Sequence, residues 1–280
     1  MAALQWGRRF LMCPPDYFDV SYSINCWMDT EVKVDRDRAF QQWDALVGTL
    51  RTAGAVVNEI PAQPDLPDLV FTANAGLIDD GRYLPARMRY PERKPEVDHL
   101  RRWLTANSWT VQQPTVALQE GAGDALPFAG GLVAGYGMRS EYEAYDELAE
   151  RTDWTVHRFE LTDPRYYHID IGFCPLDERT AIIVPEAFTP EDRKRLARLV
   201  PDPVLATTEE GARFCANSIV VDNTIIMPDC TPRLGKALER RGFDIEVCDV
   251  SEFVKAGGGC RCLTLALDVV LTASTDEVAA

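Results

Sequence analysis

Ser218-Ile219-Val220-Val221-Asp222-Asn223-Thr224-Ile225-Ile226-Met227 reads as two apolar strands hinged on a polar two-residue turn. Thr231-Pro232 follows, a cap residue and then proline at the first helical position, and Gly242 stops the helix that they open. An alternating segment over 245–250 completes the unit as a third strand. The order strand, strand, helix, strand recurs along the chain. Further hairpins are predicted from 70–78 with 83–89, from 124–128 with 132–136 and from 168–174 with 180–184. Helices are predicted over 39–53, with Phe40, Trp43, Val47 and Leu50 on one face, and over 96–107, with Val97, Leu100, Trp103 and Leu104 aligned. A third opens at Ser140 with Glu143 three residues on, a capping-box pattern, and is expected to bury Tyr145, Leu148 and Ala149. Thr189-Pro190 opens a fourth, and Gly54 is the expected stop of the first. Short strands are expected after the helices at 56–60, 111–116, 155–161 and 204–207.

Two apolar runs are left without a partner: 9–13 near the start and 262–271 near the end. Pairing them makes a fifth unit and closes a ring. Five quasi-repeats of this kind account for the near-constant helix spacing better than one open α/β sheet does. The fold expected is an α/β five-bladed propeller of ββαβ-type repeats with pseudo-fivefold symmetry, formed as a single domain over residues 1–280. In such a ring the hairpin ends face a central channel, so residues remote in sequence meet there.

The 280 residues are 46% hydrophobic, enough for a large core. Asp and Glu outnumber Lys and Arg by 44 to 29, a net charge of −15, which argues against nucleic acid or an anionic membrane as partner. It suits a small cationic substrate. No run reaches the length of a membrane span, and no signal-peptide core stands at the N-terminus, so a cytoplasmic location is expected. The eight cysteines (Cys13, Cys26, Cys174, Cys215, Cys230, Cys248, Cys260 and Cys262) are scattered and are expected to be reduced thiols, with no metal site and no cofactor.

Chemistry concentrates at Gly257-Gly258-Gly259-Cys260-Arg261-Cys262-Leu263-Thr264. Glycines let the backbone take positive φ and approach a neighbour closely. A thiol at such a junction is placed to act as a nucleophile, although a buried inert cysteine is the commoner fate of a free thiol. Cys260 competes with Cys262 for the role, and a Cys-x-Cys metal pair is a further alternative. Of the three histidines, His168 lies in the strand-like Tyr166-Tyr167-His168-Ile169-Asp170, whereas His99 sits in a charged helix and His157 outside any motif. A cysteine with a distant histidine is the minimal apparatus of thiol catalysis.

Several segments together resemble one family. They are Pro67-Asp68-Leu69-Val70-Phe71-Thr72-Ala73-Asn74-Ala75-Gly76, Glu120-Gly121-Ala122-Gly123-Asp124-Ala125-Leu126, Gly135-Tyr136-Gly137-Met138-Arg139-Ser140-Glu141, Tyr167-His168-Ile169-Asp170 and the 257–264 run. In this order they resemble the guanidino-group-modifying (amidinotransferase) superfamily, whose fold is the five-bladed pentein. Leu11-Met12-Cys13-Pro14-Pro15-Asp16 and Ser23-Ile24-Asn25-Cys26-Trp27-Met28 are similar to the arginine dihydrolase branch, with dimethylarginine dimethylaminohydrolase next. Two departures stand out. Cys26 replaces the branch's usual proline, and Ile169-Asp170-Ile171 replaces a usual His-Leu-Asp-Thr.

The resemblance implies roles. Cys262 is the expected nucleophile and His168 the general acid, later the base that activates water. Glu120 is the expected carboxylate against the guanidinium. It lies four residues before Asp124, where relatives show three, so a one-residue bulge at Gly121 or Gly123 is expected. Asp124 orients the site or caps a turn; Asp68 grips the guanidinium from another blade; Asp170 backs the histidine or the substrate. Asn74 stands where several relatives carry aspartate, and its amide suits a neutral ureido group, with Asn25 beside it. Arg93 and Arg139 are the implied clamps for an α-carboxylate, with Arg87 as runner-up.

The activity so implied is cysteine-dependent hydrolysis of L-arginine to ornithine, carbon dioxide and ammonia through a covalent thiouronium. Dimethylargininase, arginine deiminase and an amidinotransferase are the rival activities, and a non-catalytic pentein that binds a macromolecule is the rival from another class. A homo-oligomer is left open.

Overall fold

Inner and middle strands of five small sheets converge on one axis, and the outer strands carry the exposed rim. The structure is a computed structural model that describes residues 7–152 and 154–271. Each sheet has three strands, an antiparallel pair with a third strand laid parallel on its second member. In blade 5, Ile219–Val221 pairs antiparallel with Thr224–Met227, and the helix Pro232–Glu239 returns the chain so that Asp244–Val247 runs parallel to the middle strand. Blade 1 closes the ring. Leu265–Ala266 pairs with Arg9–Met12 in register Phe10 with Ala266 and Leu11 with Leu265, and Val56–Glu59 adds in parallel. Blade 2 consists of Gly76–Asp79, Arg82–Pro85 and Thr110–Val111; blade 3 of Ala125–Phe128, Gly131–Tyr136 and Val156–Glu160; blade 4 of Phe173–Pro175, Thr180–Ile183 and Asp202–Leu205.

Burial separates the strands as their sequences suggest. The β-branched runs of the inner and middle strands are buried on both faces, whereas the third strands leave Val56, Leu205 and Val247 more than half exposed. The helix starts follow from their caps. Thr189 accepts from the Asp192 N–H and Thr231 from the Leu234 N–H, each with proline at the next position. Gly54 (φ +100°) and Gly242 (φ +86°) take the left-handed turn after their helices. In the helix Arg36–Thr52, Trp43, Leu46, Val47 and Leu50 are buried, while Phe40 lies at the exposed edge of that face.

Three expectations are corrected. The third helix starts at Tyr142 with Glu141 as its unbonded cap, so Ser140 closes no capping box. Its hydroxyl instead faces inward, and Ala144 rather than Ala149 joins Tyr145 and Leu148 in the core. The strand-like runs 70–78 and 168–174 are strand only at their ends: Pro67–Val70, Thr72–Ala75 and Ile169–Gly172 are single helical turns. In 262–271 only Leu265–Ala266 pairs as strand. The reason is common to the last two. These segments are enclosed on every side, so their apolar character carries no period that tells a turn from a strand.

Candidate active site

Every crossover into a blade ends in the same way, with one turn of helix or a tight turn immediately before the inner strand. Asp68 and Asn74 lie on the turns before Gly76–Asp79. Glu120 precedes the turn Gly121–Asp124 and Asp124 ends it; this turn replaces the strand bulge expected there. His168 caps Ile169–Gly172, which holds Asp170. Asn217 precedes Ile219–Val221, and Cys262 sits in the turn before Leu265–Ala266. Fivefold repetition thus delivers eight side chains to one place, none of them more than 2% exposed.

Around the imidazole the contacts form an unbroken chain. Arg139 Nη1 donates to Glu120 Oε2 at 2.9 Å, and His168 Nε2 lies 2.8 Å from the same oxygen. The Arg89 backbone N–H donates to Glu120 Oε1 at 2.9 Å. On the other side of the ring, Asn74 Nδ2 stands 3.3 Å from His168 Nδ1. An amide nitrogen can only donate, so Nδ1 carries the lone pair and Nε2 the proton. Asn74 Oδ1 accepts from Arg93 Nη1 at 2.9 Å, and Arg93 is held bidentately by Glu96, Nη2 to Oε2 at 2.8 Å. The Arg139 guanidinium lies over the rings of Tyr90 and Tyr167, 4.7 and 4.6 Å from their centroids, and donates to the Ile24 carbonyl. Burial pushes the Glu120 carboxyl up, but Arg139 and the bond from His168 outweigh it and hold the group well below its usual range. Burial drives His168 down to about 4 against the pull of Glu120, so the imidazole is neutral at pH 7.

Around the thiol the pairing is incomplete. Cys262 Sγ donates to Asp170 Oδ2 at 3.3 Å and accepts from Asn217 Nδ2 at 3.1 Å. Asp170 Oδ1 is buried with no hydrogen-bond partner among the described residues. Burial pushes Asp170 up to about 7, and burial with the Asp170 charge pushes the Cys262 thiol well above its usual value. Asp68 repeats the pattern on blade 2: Tyr22 donates to Oδ2 at 3.0 Å, Oδ1 is buried without a partner, and burial raises the carboxyl. Arg93 Nε is 3.9 Å from Asp68 Oδ2.

Close packing explains the glycines. A Cβ on Gly123 would stand 2.2 Å from Asn74 Nδ2 and 3.2 Å from His168 Nδ1. Of the 257–259 run, only Gly257 has positive φ (+88°); Gly258 makes room for the Phe71 ring and Gly259 for Asn217. The run therefore admits protein neighbours. Asn25 lies at the margin, half-buried, its Nδ2 donating to the Ala256 carbonyl at 3.0 Å and its Oδ1 accepting from the Trp27 N–H.

Asp124 and Ser140 tie the two central segments together. Ser140 Oγ donates to Asp124 Oδ2 at 2.6 Å and accepts the Glu120 N–H at 3.0 Å, while Asp124 Oδ1 accepts the Ile169 N–H at 3.1 Å. Glu120 and His168 are thus referenced to one carboxyl, which burial holds well above its usual range. Arg87 stands apart, exposed in a surface cavity with Lys94 and Arg101. His99 meets the Pro61 carbonyl, and His157 lies on the outer strand of blade 3. Cys260 is packed in the core with its thiol pushed up by burial. Among the described residues no group of His, Cys, Asp and Glu is arranged to hold a metal ion. The sequence reading missed Ser140, Tyr22, Glu96 and Asn217. Ser140 has the sequence pattern of a cap, and Asn217 belongs to no motif, although its place at the end of a crossover is the signal the repeat supplies.

Comparison with known proteins gives the family and the fold. A family model described as N,N dimethylarginine dimethylhydrolase, eukaryotic, matches residues 19–269. AgrE of Nostoc sp. strain PCC 7120, a bifunctional arginine dihydrolase/ornithine cyclodeaminase, is 40% identical over 263 residues, 92% of this chain and 37% of that protein. The chain therefore spans well under half of that relative's length. The N(G),N(G)-dimethylarginine dimethylaminohydrolase of Mycobacterium tuberculosis is 34% identical, with 92% of this chain and 85% of that protein aligned. The crystal structure of the substrate-bound N-terminal domain of ArgZ, an arginine dihydrolase of cyanobacteria carrying a cysteine-to-serine change, superposes with a TM-score of 0.90 at 34% identity, covering 94% of this chain and 99% of that one. The chain belongs to the dimethylarginine dimethylaminohydrolase family and has the pentein fold of the enzymes that modify guanidino groups.

Proposed function

We propose that the chain is an arginine dihydrolase, converting L-arginine and two waters to ornithine, carbon dioxide and two ammonia. One observation carries this reading. Two buried carboxylate oxygens, Asp68 Oδ1 and Asp170 Oδ1, lack hydrogen-bond partners among the described residues, and the second belongs to the carboxyl that holds Cys262 Sγ. Buried acceptors without donors are costly, and a planar cation carrying N–H groups on several sides satisfies both while stabilising a thiolate beside them. A small cationic substrate fits that demand.

In the path we assign, the Cys262 thiolate attacks Cζ and forms a tetrahedral adduct. The neutral His168 takes up the proton released when the thiolate forms and returns it to the departing ammonia, leaving an S-alkylthiouronium. Water, deprotonated by His168, adds to that carbon and expels the thiolate, giving citrulline. A second attack on the ureido carbon expels the second ammonia and leaves a thiocarbamate; its hydrolysis gives a carbamate that loses carbon dioxide. Asn74 serves the second round: after its bonds to Arg93 and His168, its amide retains one donor and one acceptor site for a neutral ureido group. Arg139, with donors to spare, and Arg93 hold the substrate's α-carboxylate. We place the enzyme in the cytoplasm, where its eight free thiols stay reduced.

AgrE's bifunctional description and a structure of the ArgZ domain covalently bound to a reaction intermediate support this reading. Dimethylargininase is the second reading, favoured by the family model and the mycobacterial relative. Mass spectrometry of products from L-arginine, dimethylarginine and citrulline, incubated separately, decides between them. Ornithine from both arginine and citrulline is the expected outcome; citrulline accumulating from dimethylarginine, with arginine untouched, overturns it.

A further inference from the structure

Asn217 is the crossover residue of the fifth blade, and every hydrogen-bonding position of its amide is used. Oδ1 accepts the backbone N–H of Gly259 at 3.0 Å and of Cys262 at 3.1 Å. Nδ2 donates to the Asp170 carbonyl at 3.2 Å and to Cys262 Sγ at 3.1 Å. Two N–H groups on the oxygen fix which end of the amide faces the sulphur, because a flipped amide would set donor against donor. The side chain is 0% exposed, so no water competes for the sulphur on that side. Gly259 completes the fit: a Cβ there would stand 2.9 Å from Asn217 Oδ1.

From this geometry we infer that Asn217 is a catalytic residue of the thiol chemistry: it positions the Cys262 turn through its oxygen and donates through its nitrogen to the sulphur as negative charge develops there. The inference rests on the cysteine-dependent reading above. Asp170 beside the same sulphur cannot supply such a donor while ionised; the buried Arg261 cation acts on Asp170 and Cys262 through its charge, and Asn217 is a side chain that donates a hydrogen bond to the sulphur. A hydrogen bond to an ion is worth roughly twice one between neutral groups, so the contact strengthens on going from thiol to thiolate. It therefore favours the reactive form and the thiolate that leaves in each hydrolysis.

Asn217→Asp tests this, because the carboxylate keeps an acceptor for Gly259 and Cys262 N–H but sets an oxygen against the sulphur. The first readout needs no substrate: the pH profile of iodoacetamide alkylation at Cys262, followed by mass spectrometry of the peptide that contains it. Loss of the donor, together with the carboxylate's own charge beside the thiol, is expected to move the profile up by about one pH unit or more, roughly tenfold or more slower alkylation at a fixed pH on its rising limb. The second readout is arginine turnover, where kcat is expected to fall about a hundredfold with KM changed far less. An unshifted alkylation profile overturns the inference, whether turnover survives or is lost, because loss of turnover alone would mark a purely structural role. Should Asn217→Asp fail to fold, Gly259→Ala displaces the amide without changing its chemistry and is expected to shift the profile in the same direction; an unshifted profile there overturns the inference too. Because alkylation is independent of arginine, a wrong substrate assignment would leave this result standing.

Discussion

The imidazole side and the thiol side of the site are built on opposite terms. Glu120 has both oxygens occupied and its charge held by Arg139 and His168, so its carboxyl lies well below the usual range. Asp170, equally buried, has one oxygen bonded to a thiol and the other to nothing, and its carboxyl is pushed up to about 7. Two carboxylates in one cavity are thereby driven apart in acidity by their neighbours alone. The paired side holds geometry, keeping the imidazole in one tautomer. The unpaired side is held out of its comfortable state, and the proposed cationic substrate would relieve it. A site saturated on both sides would be stable and inert.

The largest effect should come from removing the reactive atom. Cys262→Ser is expected to lower kcat/KM by about four orders of magnitude or more while calorimetry still detects arginine binding. Residual turnover within tenfold of wild type would move the chemistry off the thiol side. Next, Glu120→Gln strips the compensating charge from buried Arg139 and the anionic acceptor from His168. It should lower kcat about a hundredfold and cost about 3 kcal/mol in urea unfolding at pH 7.

Asp170→Asn sharpens the contrast, since it too removes a buried charge yet should have the opposite effect on stability. Folding raises the Asp170 pKa from an ordinary 3.8 to about 7, so the folded state binds the proton more tightly than the unfolded one. The resulting stability is present below about pH 4 and is lost as pH rises through about 7. Wild type should therefore weaken over that window relative to Asp170→Asn, which is expected to be inactive but more stable than wild type at pH 8. If unfolding at pH 8 shows it destabilised as much as Glu120→Gln, the distinction between the two sides fails. The smallest effect is a control outside both. Thr189→Ala removes a helix cap and should cost about 1 kcal/mol with turnover unchanged.

What the chain discloses before folding follows the same division. Helix caps, stops and hairpin turns are local chemistry, so Thr189-Pro190, Thr231-Pro232, Gly54 and Gly242 mark the blades, and the two unpartnered apolar runs imply closure. Cys262, His168, Glu120 and Asp170 are recognisable because they stand in motifs, yet the pairings around them are not, since Arg93 with Glu96 or Ser140 with Asp124 depends on which crossovers meet. Ser140 and Glu143 spell a cap that tertiary contacts overrule, because a buried Asp124 needs the serine hydroxyl more than a solvent-side helix end does. Asn217 carries no local signature, and only its place in the fivefold repeat distinguishes it from any other asparagine.

The claim on which the rest stands is that Cys262 bonds covalently to the guanidino carbon. Wild-type enzyme quenched in acid during turnover of L-arginine labelled with heavy carbon at Cζ should yield, by peptide mass spectrometry, the labelled adduct on the peptide containing Cys262 and its absence in Cys262→Ser. Label on another cysteine, or turnover at full rate with no labelled peptide at any quench time, would contradict it.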